Sequence, residues 1–76
     1  MPADDLRIQK ALGSAVRRLR TEAGLSQIAL AEKAGLQPNF VGEIERAEKL
    51  PSIASVVRIA RGLGLSGEAL LAKAKL

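Results

Sequence analysis

The chain has no cysteine, no histidine, no tryptophan and no tyrosine. Without thiols there is no disulfide framework and no thiolate metal site. Without imidazole, both the commonest metal ligand and the usual general base are missing. No glycine-rich loop is present to cradle a phosphate, and the paired carboxylates Glu43 and Glu45 sit two apart on a helix, so they point in different directions. Catalysis, a bound metal and a cofactor are therefore not expected. No apolar run approaches a membrane span, and the start Met1-Pro2-Ala3-Asp4-Asp5 is acidic rather than a basic signal-peptide start. The missing cysteine fits a reducing compartment, so the expected location is the cytoplasm. The single aromatic residue, Phe40, is expected in the core rather than as a base-stacking platform. With 76 residues the chain has room for one domain, residues 1–76, and one modest core. No small-molecule effector is expected, because a chain this short has no evident pocket for one.

What is present argues for folding and for a polyanion. Apolar residues make up 47% and charged residues 26%, so the chain should not stay disordered. The net charge of +4 suits nucleic acid but does not establish it. Placement says more than the total. Arg17, Arg18 and Arg20 cluster at the end of the first helix, and Arg46 and Lys49 flank the loop after the third. For Arg17 or Arg18 alone, a solvated helix face is an equal explanation.

Neither a period-two alternation nor a β-rich run occurs, so the chain reads as all-α with five helices. In the first, Asp4 or Asp5 is the expected cap. Ile8, Leu12, Val16, Leu19 and Ala23 form one stripe, and Gly24 stops the helix. Gly13 costs about 1 kcal/mol relative to alanine in mid-helix, which close packing would justify. The second helix runs from Ser26 to about Ala34, with Leu30, Ala31 and Ala34 inward, and Gly35 turns the chain. Gln37 is the expected cap of the third, with Pro38 at its first position and Phe40, Val41 and Ile44 as its buried face. The fourth follows Pro51 with Ser52 as cap; its apolar positions are Ile53, Val56, Val57, Ala60 and Leu63, and Gly64 ends it. Ser66 caps the fifth, and Glu68 suits the dipole of its first turn. Leu70, Leu71, Ala74 and Leu76 make this last helix more apolar than a lone chain of this size requires. Neighbouring leucines diverge by about a quarter-turn, so Leu70 or Leu71 should face outward. A homodimer through Leu65, Leu70, Leu71 and Leu76 would cover it.

The stretch from Gly24 to Arg46 is thus two short helices around one tight turn, an arrangement that usually offers its second helix to the DNA major groove. Several spaced motifs fall in register: Leu25-Ser26-Gln27, Leu30-Ala31, Ala34-Gly35-Leu36, Phe40-Val41-Gly42-Glu43-Ile44-Glu45-Arg46, Pro51-Ser52-Ile53 and Arg58-Ile59-Ala60. In these the chain resembles the Cro/C1-type (xenobiotic-response-element) helix-turn-helix regulators, over roughly Leu12 to Leu71. The resemblance implies a compact five-helix, lambda-repressor-like domain that binds double-stranded operator DNA, usually as a two-fold dimer on a pseudo-palindrome.

Carried over by position, the resemblance assigns base contacts to Gln37, Pro38, Asn39, Gly42 and Glu43. Asn39 would pair with adenine, and Glu43 would accept from a cytosine amino group. Phosphate contacts fall to Gln27, aided by the backbone N–H groups of the second helix, and to Arg46 and Lys49; Arg17 and Arg18 are placed to add to them. Arg20 and Glu45 match a pair that joins the first helix to the third. Some positions depart from the pattern. Ala29 stands where Glu or Gln often closes a capping box. Ile28 is apolar on a face that is often polar. Ala47 replaces the glycine that often ends the third helix, so that helix should run on further. Pro38 and Gly42 offer no polar side chain, so discrimination should lean on dimerisation and DNA shape. The alternative is an antitoxin-like protein-interaction module on the same scaffold, to which Ile28 and the apolar tail lend some support.

Overall fold

A computed structural model describes residues 3–76. Among the described residues there are five helices and no strand: α1 (Ala3–Glu22), α2 (Gln27–Ala34), α3 (Phe40–Glu45), α4 (Ile53–Gly62) and α5 (Gly67–Lys73). None of them is long and apolar enough to cross a membrane.

Serine starts three of these helices. Ser26, Ser52 and Ser66 hold extended backbone and accept from the N–H of Ala29, Ser55 and Ala69. Each satisfies one of the donors that a helix start leaves without a partner. All five helices end alike, with paired reverse hydrogen bonds around one left-handed residue. At Gly35, for example, Leu36 N–H reaches Ala31 O (2.9 Å) and Gly35 N–H reaches Glu32 O (3.2 Å). Gly24, Gly35 and Gly64 take the left-handed conformation without a side-chain penalty, and each is followed by a leucine that turns back to the core. At the ends of α3 and α5 the same place is filled by Ala47 (φ 58) and Lys75 (φ 61). The third helix therefore does not run on. The reverse bonds from Ala47 N–H to Ile44 O and from Glu48 N–H to Glu43 O close it, and an alanine accepts the left-handed backbone.

The core gathers Leu12 and Val16 of α1, Leu30 and Ala31 of α2, Val41 and Ile44 of α3, Ile59 and Ala60 of α4, and Leu70 of α5. Several expected positions shift. Asp4 and Asp5 lie inside the first turn of α1 rather than capping it, and Asp4 pairs with Arg7. Ala23 is exposed, past the end of the stripe, whereas the polar Gln9 lies on the buried face. Gln37 and Pro38 form a turn ahead of α3, whose first helical residue is Phe40. In α4 the fully buried residues are Ile59 and Ala60, while Ile53 at the first helical position is 85% exposed. Gly13 has the tightest surroundings of the glycines: a Cβ there would lie 2.4 Å from Ile44 O and 3.0 Å from Glu45 O. The mid-helix glycine thus lets the end of α3 rest directly on α1.

Candidate nucleic-acid interface

Helix α3 has only six residues and cannot stand alone, so its orientation depends on what grips it. The grip centres on Glu45. Arg20 of α1 donates to it twice, Nε to Oε2 at 2.6 Å and Nη2 to Oε1 at 3.0 Å, and Gln27 of α2 adds Nε2 to Oε1 at 3.0 Å. Arg20 also donates to Leu25 O at 2.9 Å, in the segment leading into α2. One carboxylate therefore joins the first three helices. Its side chain is only 4% exposed and that of Arg20 is 12% exposed. Burial pushes the Glu45 carboxyl upward, but the hydrogen bonds from Arg20 and Gln27 more than offset this and leave it below its ordinary value. The same hydrogen bond raises the Arg20 guanidinium, so both partners stay charged.

Held this way, α3 turns Val41 and Ile44 inward. Gln37, Pro38 and Asn39 are exposed ahead of it, and Glu43 is partly exposed along it. Asn39 sits at the cap position but makes no capping hydrogen bond with its side chain. Gly42 is not on the outward face. It is buried under two side chains, and a Cβ there would meet Arg46 Nη1 at 2.9 Å and Gln27 Oε1 at 3.1 Å. It gives Arg46 and Gln27 room to lie across α3 and offers no surface of its own for a base.

The basic residues differ in what they touch. Arg46 is held by Glu48 (Nε to Oε2 2.8 Å), which raises the guanidinium and lowers the carboxyl. Lys49 Nζ lies 3.9 Å from Glu43 Oε2. Arg17 is exposed on α1, and its charge helps to lower the Glu45 carboxyl. Arg18 instead donates to Lys73 O at 3.0 Å, at the end of α5. Gln27 has one amide hydrogen committed to Glu45. Glu48 and Gln9, unremarked in the sequence, both touch the α3 end; Gln9 donates from Nε2 to Ala47 O at 3.0 Å. For Gln9 the available signal was its spacing, since residues 9, 13, 16 and 20 fall on one side of a helix.

A second surface lies across the fold, between α4 and α5. Pro51, Ile53, Val56, Val57, Leu71 and Leu76 line an open apolar groove. Leu71 is 39% exposed there, whereas Leu70 is fully buried in the core and takes no part in that surface. Leu65 is half-buried and packs against the core rather than lining the groove.

A family model described as helix-turn-helix domain matches residues 11–73. The control protein C.SmaI of Serratia marcescens is 33% identical over 66 residues, 87% of this chain and 79% of that protein. The immunity repressor protein of Bacillus phage phi105 is 33% identical over 60 residues, 79% of this chain and 42% of the repressor. Among curated relatives, the chain therefore spans most of some and less than half of others. The crystal structure of the restriction-modification controller protein C.AhdI from Aeromonas hydrophila superposes with a TM-score of 0.78 at 34% identity, covering 82% of this chain and 94% of that one. The fold, the motif register and these relatives agree, and the chain belongs to the Cro/C1-type helix-turn-helix family of non-enzymatic, DNA-binding transcriptional regulators.

Proposed function

We propose that this chain is a repressor or autoregulator that reads a pseudo-palindromic operator as a homodimer, with α3 in the major groove of each half-site. The observation that carries the reading is the exposed surface of Gln37, Pro38, Asn39 and Glu43, flanked by Arg46 and Lys49 beyond the helix end. Asn39 has its amide free of any capping bond and suits adenine, and Glu43 suits a cytosine amino group. Arg46, Lys49, Arg17 and the second amide hydrogen of Gln27 would take phosphates. Glu48 and Glu43 neutralise part of that charge in the free protein, and DNA would have to exchange those contacts for its own. Pro38 brings only apolar contact, so half-site discrimination stays modest and the two-fold partner supplies the rest. The groove between α4 and α5 is the surface for that partner. A cytoplasmic setting, a single domain over residues 1–76 and regulation through concentration, dimerisation or a partner complete the reading.

The test is salt dependence. Arg46→Ala and Lys49→Ala should weaken binding to all sequences alike, and each should reduce the slope of log affinity against log salt by about 0.9. Binding measured by fluorescence anisotropy between low and physiological salt reports both quantities. A slope unchanged in both variants would contradict the phosphate assignment. The antitoxin-like reading keeps one supporting observation, Ile28 standing 57% exposed on α2. Docking of a protein through such apolar surface would barely respond to salt.

A further inference from the structure

Three α1 residues at helical spacing meet the far end of α3. Arg20 holds Glu45, Gly13 receives the Ile44 and Glu45 carbonyls, and Gln9 Nε2 donates to Ala47 O at 3.0 Å. The first two fix the helix itself. Gln9 acts one step beyond it, on the left-handed residue (φ 58) from which Arg46 and Lys49 diverge. Two features set this contact apart. Gln9 is 1% exposed, and its Oε1 is buried without any partner. A leucine or methionine would fill that space without the orphaned Oε1, but it would leave the Ala47 carbonyl without its donor. Meanwhile the ends of α1, α2 and α4 use glycine at the left-handed position, whereas the α5 end uses Lys75 and the α3 end Ala47. A β-carbon there makes the turn less favourable by itself, so an external anchor matters more at this end than at Gly24, Gly35 or Gly64.

We propose that Gln9 is a positioning residue for DNA binding: its amide holds the Ala47 carbonyl and so fixes the turn that aims Arg46 and Lys49. The proposal rests on the DNA-binding reading above, and two readouts keep their failures apart. The first is amide hydrogen exchange in the DNA-free protein carrying Gln9→Leu, with Gln9→Met as the unbranched variant should leucine disturb the packing. The global unfolding midpoint should change little, because the lost hydrogen bond is balanced by removal of the stranded oxygen. Protection at Ala47 and Glu48, whose N–H groups close the α3 end, should fall by about three- to tenfold, the equivalent of one ordinary hydrogen bond. Leu36, in the matching turn at Gly35, should be unaffected. The second readout is DNA affinity against salt, where the same variants should lose about three- to tenfold and show a shallower slope. In an Ala47→Gly background both effects of Gln9→Leu should shrink, because glycine holds the turn unaided. Unchanged exchange at Ala47 and Glu48 overturns the anchor. Loosened exchange with unaltered DNA affinity and slope overturns the positioning role alone. A wild-type chain that binds no DNA overturns the reading beneath it.

Discussion

Glu45→Ala should cost the fold about 3–5 kcal/mol, the usual penalty for leaving one member of a buried ion pair without its partner. For a domain of this size the whole stability is about 4–11 kcal/mol, so the variant should be partly unfolded at room temperature or close to it. The reason is geometric. Arg20 reaches Glu45 with two nitrogens, and removal strands a guanidinium whose side chain is 12% exposed. Gln27 loses its acceptor as well. Two exposed charges would be worth under about 1 kcal/mol, so the measurement separates the two cases clearly. Chemical denaturation of wild type, Glu45→Ala and Glu45→Gln checks it. The pH dependence supplies a second view. The carboxyl lies below its ordinary value in the folded state, so its contribution is complete above the unfolded range near pH 4–5 and is lost as pH falls toward the folded value. Glu45→Gln should flatten that acid limb. An unfolding midpoint barely moved by Glu45→Ala would contradict the assignment.

The second large effect concerns the groove between α4 and α5. Ile53→Glu and Leu71→Glu should leave the monomer folded, since Ile53 is 85% exposed and Leu71 is 39% exposed. Leu70, also expected at the interface from the sequence, is unsuitable for such a test: it is fully buried, and a charge there would unfold the chain. On our account the wild type sediments at about twice the 8.0 kDa chain mass at micromolar concentration, and the double variant sediments as single chains. Affinity for a two-half-site operator should fall by about 100-fold or more, because the second α3 no longer binds at high effective concentration. In the dimer the two α3 helices would stand about 34 Å apart, one turn of DNA. A wild-type chain that is monomeric throughout that range and still binds palindromic DNA tightly would contradict the interface.

How much of this was legible in the sequence varied with the cause. The capping serines, the glycine ends and the inward faces of α2 and α3 follow from local chemistry, and the five-helix fold was readable from them. What was not readable depends on partners distant in the chain. The resemblance put Gly42 among the base contacts, yet Gln27 and Arg46 lie over it, and nothing local to α3 announces that cover. Arg18 looked like a phosphate ligand until α5 placed a carbonyl beside it. Ala47 lacked the usual glycine, so the helix was expected to continue; the reverse bonds to Glu43 and Ile44 and the hold of Gln9 end it instead. Of the two neighbouring leucines in α5, the sequence required that one face outward but could not say which; packing against α1 and α4 selects Leu70 for the core.

The central claim is that the outward residues at the start of α3 read bases. Selection of bound sequences from a random DNA pool, run in parallel on wild type, Asn39→Ala and Glu43→Ala, tests it most directly. The account predicts a two-fold-related motif for the wild type and relaxed preference at one position per half-site for each variant, each worth about 1–3 kcal/mol of discrimination. An Asn39→Ala protein that selects the same motif as the wild type would contradict it.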